Sequence, residues 1–192
     1  MIRALYLTFV AALVMPLSAL ADNDSSMDFS GLKWRNIGPA FMSGRISDID
    51  WDPKDSSVWY VAVGSGGVWK TKNAGVSWSP IFDAESSYSI GNVTVDPSNP
   101  NTVWVGTGED VGGRHVGFGD GIYRSDDGGS TWTNMGLTES QHISTILVHP
   151  QNSDIVWAAV QGPLWTPGGE RGLHGCLYPY KFYTKYTQGK KK

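Results

Sequence analysis

The chain has 192 residues, with 15 basic against 18 acidic side chains and a net charge of −3 at pH 7. That balance excludes a general electrostatic attraction to nucleic acid or to an anionic membrane, and the length fits one ordinary domain. A single cysteine, Cys176, excludes an internal disulfide, so packing must hold the fold.

Met1 to Ala21 contains Arg3, an apolar run from Leu5 to Leu20, and Ala19-Leu20-Ala21 ahead of Asp22-Asn23-Asp24. This pattern predicts a secretory signal peptide over 1–21, cut after Ala21, and so an exported protein, periplasmic or secreted. The run is too short and too weakly flanked for a stable membrane span.

From 30 to 173 the chain repeats itself. Asp52-Pro53 precedes Val58-Trp59-Tyr60-Val61, Asp96-Pro97 precedes Val103-Trp104-Val105, and His149-Pro150 precedes Val156-Trp157-Ala158. Ahead of each pair the apolar positions superpose: Ile46, Ile49 and Trp51; Ile90, Val93 and Val95; Ile143, Ile146 and Val148. A strand-rich unit recurring about every 50 residues predicts an all-β fold, a partial β-propeller of antiparallel four-stranded blades. In the second unit the strands are predicted over Ile90–Val95, Val103–Thr107, Gly121–Ser125 and Thr131–Asn134. About two and a half such blades fit the chain, and they cannot close a ring, so sheet edges and apolar faces are left open.

Between strands three and four of that unit stands Ser125-Asp126-Asp127-Gly128-Gly129-Ser130-Thr131-Trp132, echoed upstream by Thr71, Asn73, Gly75, Ser77 and Trp78. Catalytic groups are normally single, so a duplicated signature points to scaffold: a carboxylate accepting turn amides, a glycine at positive φ, a tryptophan over the sheet. Ser125, Asp127, Gly129, Thr131 and Trp132 resemble the Asp-box, or BNR repeat, whose family consists of β-propellers in which the box is a structural turn. The stretch from Trp34 to Arg171, including "WRNIGPAFMSGRISDIDWDP" and "SIGNVTVDPSNPNTVWVGTGE", is similar to the start of bacterial sortilin-type propeller proteins, often described as glycosyl-hydrolase-like. That resemblance implies a longer parent protein whose further blades are the partners of this chain.

Strand parity puts the loop after strand two and the link between blades on one face. "GEDVGGRHVGFGD" and "QGPLWTPGGER" lie there, and long loops on a rigid scaffold commonly carry binding groups. Glu109, Asp110, Arg114, His115 and Trp165 are the candidates, with Arg45 at the neighbouring start of strand one. A solvated ion pair among Glu109, Asp110 and Arg114, an exposed histidine and a tryptophan covering an incomplete core are the plainer alternatives.

Glycoside hydrolysis needs two carboxylates roughly 5 to 10 Å apart. The chain resembles xyloglucan-degrading propeller hydrolases in its Asp-Pro turn and Gly-Gly-aromatic strand. Those enzymes carry a catalytic Asp just before the Gly-Gly, where this chain has Gly64 and Ser65 ahead of Gly66-Gly67. Sialidases begin an arginine cluster with Arg-Ile-Pro, against Arg45-Ile46-Ser47 here. No catalytic residue is therefore assigned. Asp48, Asp50 and Asp52 have the spacing of a calcium loop, but Pro53 replaces its glycine and Trp59 its terminal glutamate, so a polar strand face is expected. No cofactor or metal is expected.

Past Gly172 the pattern breaks. Cys176, Tyr178, Tyr180 and Tyr183 stand where a third turn signature would place Ser, Asp, Gly and Trp, so 174–192 reads as a divergent or truncated tail. Its lysines and tyrosines offer a nucleic-acid stacking surface as the alternative. The functional expectation is an exported propeller module recognising a peptide or glycan. The alternative is part of a polysaccharide-active glycoside hydrolase, and hydrolysis by this chain alone is not expected.

Overall fold

The computed structural model describes Gly31, residues 44–110, 116–177 and 182–186, the last four of these by their backbone. The chain divides into two units, Met1–Gly38 and Pro39–Lys192, and apart from Gly31 every described residue belongs to the second.

Among the described residues there is no helix, and twelve strands form three antiparallel sheets of four. Blade one holds β1 (Ile46–Trp51), β2 (Trp59–Val63), β3 (Gly67–Thr71) and β4 (Ser79–Pro80) in that order. Blade two holds β5 (Ile90–Val95), β6 (Val103–Thr107), β7 (Ile122–Ser125) and β8 (Thr133–Asn134). Blade three holds β9 (Ile143–His149), β10 (Asn152–Val160), β11 (Gly172–Leu177) and β12 (Tyr183–Tyr186), and so continues into the segment that the missing turn signature sets apart. Together they make a partial β-propeller.

β5 and β6 span the residues their alternation predicts. β7 starts one residue late because Gly121, at φ 130°, turns out of the ladder while its carbonyl accepts the Thr107 N–H at 3.1 Å. The Pro turns are held by the aspartate before them. Asp96 accepts Ser98 N–H at 2.8 Å, and Asp52 accepts Lys54 N–H at 2.7 Å. Burial alone would raise the Asp96 carboxyl, but hydrogen bonds from Ser153, Ser98 and Asn99 outweigh it and hold the group below its ordinary value.

The two matching turns fold alike. In blade two Ser125 Oγ accepts Gly129 N–H at 2.8 Å, and Asp127 accepts Thr131 N–H at 2.9 Å. In blade one Thr71 accepts Gly75 N–H at 3.0 Å, and Asn73 accepts Ser77 N–H at 2.9 Å. These bonds close both turns.

Blades pack face to face. Ile90, Val93, Val95, Val103, Val105 and Tyr123 of blade two lie against Tyr60, Ala62, Val68 and Phe82 of blade one. Trp104, Ile122, Met135 and Leu137 form the other face of blade two and receive Ile143, Ile146, Val156, Ala158, Val160 and Cys176 of blade three. Burying such side chains is worth about 1.5–3 kcal/mol each, so the joints between blades are the main store of stability. Polar bonds set their register: Asp50 accepts Val95 N–H at 2.7 Å, and Trp132 donates from Nε1 to the Ile81 carbonyl at 2.7 Å. Asp48 likewise accepts Val93 N–H at 3.1 Å, so both aspartates serve the joint.

Candidate functional site

The expected face gathers the ends of strands from all three blades. Arg45, Ser89 and His142 hold the same place, just ahead of the first strand of successive blades. Gly64, Gly108 and Gln161 hold another, just after the second strand.

Gly108 makes the convergence possible. At φ 82° it turns the chain after β6, and a Cβ there would lie 1.7 Å from the Gln141 carbonyl oxygen. Its N–H bonds the Ser89 carbonyl at 2.7 Å, and the next N–H, of Glu109, bonds Ser89 Oγ at 3.0 Å. The Glu109 side chain then enters blade one, where it pairs with Arg45. Its exposure is 0% against 51% for the Arg45 side chain, so a buried carboxylate anchors a guanidinium that reaches solvent. The carboxyl group fills the room left by Gly64: a Cβ at Gly64 would stand 2.9 Å from Glu109 Cδ. A carboxylate from the next blade thus lies beside Gly64.

Blade three closes the arrangement from the other side. His142 Nδ1 lies 2.7 Å from the Glu109 carbonyl oxygen, and Gln161 Nε2 donates to the Asp110 carbonyl at 3.1 Å. A carbonyl only accepts, so Nδ1 carries the hydrogen and the neutral ring leaves Nε2 a bare acceptor. Burial lowers the His142 pKa and so favours the neutral ring, with Asp110 acting in the opposite direction. Burial and the nearby Asp48 raise the Asp110 carboxyl. Three buried acceptors, Glu109 Oε2, His142 Nε2 and Gln161 Oε1, have no donor among the described residues. Buried polar atoms are normally paired, so three unpaired acceptors call for donors from water or a ligand. The Phe118 ring, largely exposed, sits 5.6 Å from the His142 ring at the rim.

Of the sequence candidates, Arg45 and Glu109 meet across the first joint, and Asp110 follows beside His142 and Gln161. Trp165 stands exposed on the loop between β10 and β11. Arg114 and His115 lie outside the described residues. His142 and Gln161 escape a motif reading, yet superposing the repeat on Arg45 and Gly64 reaches both positions.

The fold and this face define a β-propeller segment with a polar, acceptor-rich site where three blades meet. No protein-family model matches the chain. An oligoxyloglucan-reducing end-specific xyloglucanase of Emericella nidulans is 25% identical over 155 residues, covering 78% of this chain and 18% of that enzyme. Among solved structures, a GH74 enzyme of Niastella koreensis matches with a TM-score of 0.52 and 24% identity, over 68% of this chain and 19% of its own. The GH74 xyloglucanase of Xanthomonas campestris matches with a TM-score of 0.55 and 15% identity, over 75% of this chain and 24% of its own. These likenesses establish the propeller fold. The chain spans less than a quarter of the length of each of these proteins.

Proposed function

We propose that the chain is part of a polysaccharide-active propeller of the glycoside-hydrolase kind, acting on a xyloglucan-type glucan at the face that carries Arg45 and Asp110. The kinship with a xyloglucanase favours this reading over a free-standing peptide-binding module of sortilin type. The observation that carries it is that likeness, 25% identity over 155 residues, together with the convergence of Arg45, Glu109 and Asp110 on one polar face. Glu109 is buried and acts as a positioning residue, holding Arg45 toward the ligand. Asp110, partly exposed and raised by burial, has the environment of a general acid. Trp165 offers a stacking platform for a sugar ring. Export through 1–21 would deliver the protein to extracellular glucan, and the Asp-box turns serve as scaffold.

The test is calorimetric titration of the chain with xyloglucan oligosaccharides, alongside product analysis. Binding weakened at least tenfold by Asp110→Asn and by Trp165→Ala, with thermal stability unchanged, is the expected result. Wild-type protein that neither binds nor cleaves these sugars overturns the proposal.

A further inference from the structure

Two exposed aromatic side chains stand beside the Glu109 site on a backbone that is itself buried and fixed. Tyr88, in the link from β4 to β5, is 66% exposed, while its neighbours Ser87 and Ser89 are 6% and 0% exposed. Phe118, in the loop from β6 to β7, is 62% exposed. Both rings sit at one end of blade two, which has a described blade packed on either side of it, so neither belongs to a face between blades.

The two segments run antiparallel and are tied by side chains at three rungs. Ser86 Oγ donates to the Asp120 carboxylate, Ser87 Oγ to the Phe118 carbonyl at 3.1 Å, and Ser89 Oγ to the Gly117 carbonyl at 2.9 Å. Gly117 lets them close. A Cβ there would stand 2.7 Å from Ser89 Cβ and 3.9 Å from the Tyr88 hydroxyl, so Tyr88 lies over the residue just before Phe118. Outside this ladder, Gly67 N–H bonds the Tyr88 carbonyl at 2.8 Å and Gly119 N–H bonds the Gln141 carbonyl at 2.7 Å, which fastens the pair to blade one and to the link into blade three. Exposed apolar side chains scattered singly need no explanation, but an adjacent pair on a rigid support has the form of a binding platform.

We propose that Tyr88 and Phe118 form a stacking subsite for the pyranose rings of an extended β-linked glucan, with Asp120 at its edge. A pyranose is apolar on its C–H faces and polar at its rim; the aromatic rings take the first and the carboxylate the second. Ser86 and the Tyr123 hydroxyl, the latter at 2.7 Å, both donate to Asp120 Oδ2 and so orient the group. Thr107 Oγ stands 3.3 Å from Oδ1 but has a single proton, which the Gly121 carbonyl takes at 2.6 Å, so Oδ1 is left to accept from a sugar hydroxyl. Because the backbone is fixed before the ligand arrives, little ordering cost opposes binding. The subsite rests on the carbohydrate reading of this face and extends it: the glucan runs from Asp110 past Phe118 to Tyr88.

The experiment is calorimetric titration of the full chain with xyloglucan oligosaccharides and with cellohexaose, comparing Tyr88→Ala, Phe118→Ala and Tyr88→Phe with Asp110→Asn and Trp165→Ala. Each of the first two variants should bind about three- to tenfold more weakly at unchanged thermal stability, and Tyr88→Phe, which keeps the ring, should bind as wild type. Wild-type affinity in both Tyr88→Ala and Phe118→Ala, while Asp110→Asn and Trp165→Ala still weaken binding, overturns the subsite and leaves the carbohydrate reading standing. Wild type that binds neither sugar overturns both. A Tyr88→Phe variant as weak as Tyr88→Ala overturns the stacking role. Lower melting temperatures in both alanine variants would mark the rings as packing residues covered by the rest of the chain, and that result overturns the subsite too.

Discussion

Asp48 and Asn92 hold the same place in successive blades, and each gives a side-chain oxygen to the main chain of the blade that follows. Asp48 accepts Val93 N–H at 3.1 Å, and Asn92 accepts Ile146 N–H at 3.0 Å. A buried edge amide must find an acceptor, and here the preceding blade supplies it.

Asn92→Leu removes that acceptor from a buried N–H and should destabilise the protein by about 1–3 kcal/mol. Asn92→Asp keeps the oxygen but sets a second carboxylate against Asp48, which accepts the Asn92 side-chain amide, so it too should destabilise. Urea unfolding of both variants checks this, and midpoints equal to wild type would show that the joint does not depend on Asn92.

Arg45→Met leaves the buried Glu109 carboxylate without its cation. Because Arg45 is half exposed and water screens the pair, the expected loss is about 1–3 kcal/mol, below the full cost of breaking a buried ion pair. Adding Glu109→Gln should recover at least half of it. A double-mutant cycle with no coupling between the two positions would contradict the pairing.

Gly64→Ala places a methyl group against Glu109 Cδ and should destabilise by about 1–3 kcal/mol through crowding. In a Glu109→Ala background the same change should be close to neutral, because the space is then free. Thermal denaturation of the four proteins measures the difference.

The Asp127 carboxyl is held well below its ordinary value of 3.8, chiefly by the Thr131 N–H and hydroxyl, with Ser125 adding a further bond. The folded-state value is the lower one, so the ionised turn stabilises the fold above 3.8 and loses that contribution progressively as pH falls below it. Asp127→Asn should flatten the acid limb of the stability curve, as Asn73 already does for the equivalent turn in blade one. An acid limb identical to wild type would assign the titration elsewhere.

Expression in a bacterial host should yield protein outside the cytoplasm beginning at Asp22. Amino-terminal sequencing of the recovered chain checks this. An intact Met1 in the membrane fraction would indicate an anchor.

Much of the architecture was legible because it repeats. The alternation at Ile90, Val93 and Val95, the Asp-Pro turns and the Ser125 to Trp132 signature are each set by neighbours within a few residues. Strand parity then placed Arg45, Glu109 and Asp110 on one face. The burial of Glu109 was not legible, because it depends on Gly64 and Arg45 arriving from another blade and on the backbone of Gln141 approaching Gly108. The roles of His142 and Gln161 were hidden for the same reason: each bonds a carbonyl far away in sequence and belongs to no local motif. β12 was missed because the local turn signature ahead of it is replaced, while pairing with β11 alone recruits Tyr183–Tyr186 into the sheet.

The joint between blades one and two also has a meaning in time. Tyr60, Ala62, Val68 and Phe82 find their cover in residues that the ribosome adds only later, from Ile90 to Tyr123. A chain delivered amino end first must hold its leading sheet with aromatic surface bare until its successor arrives. The rate of delivery, rather than the final stability, then governs how long proteases and chaperones can seize it.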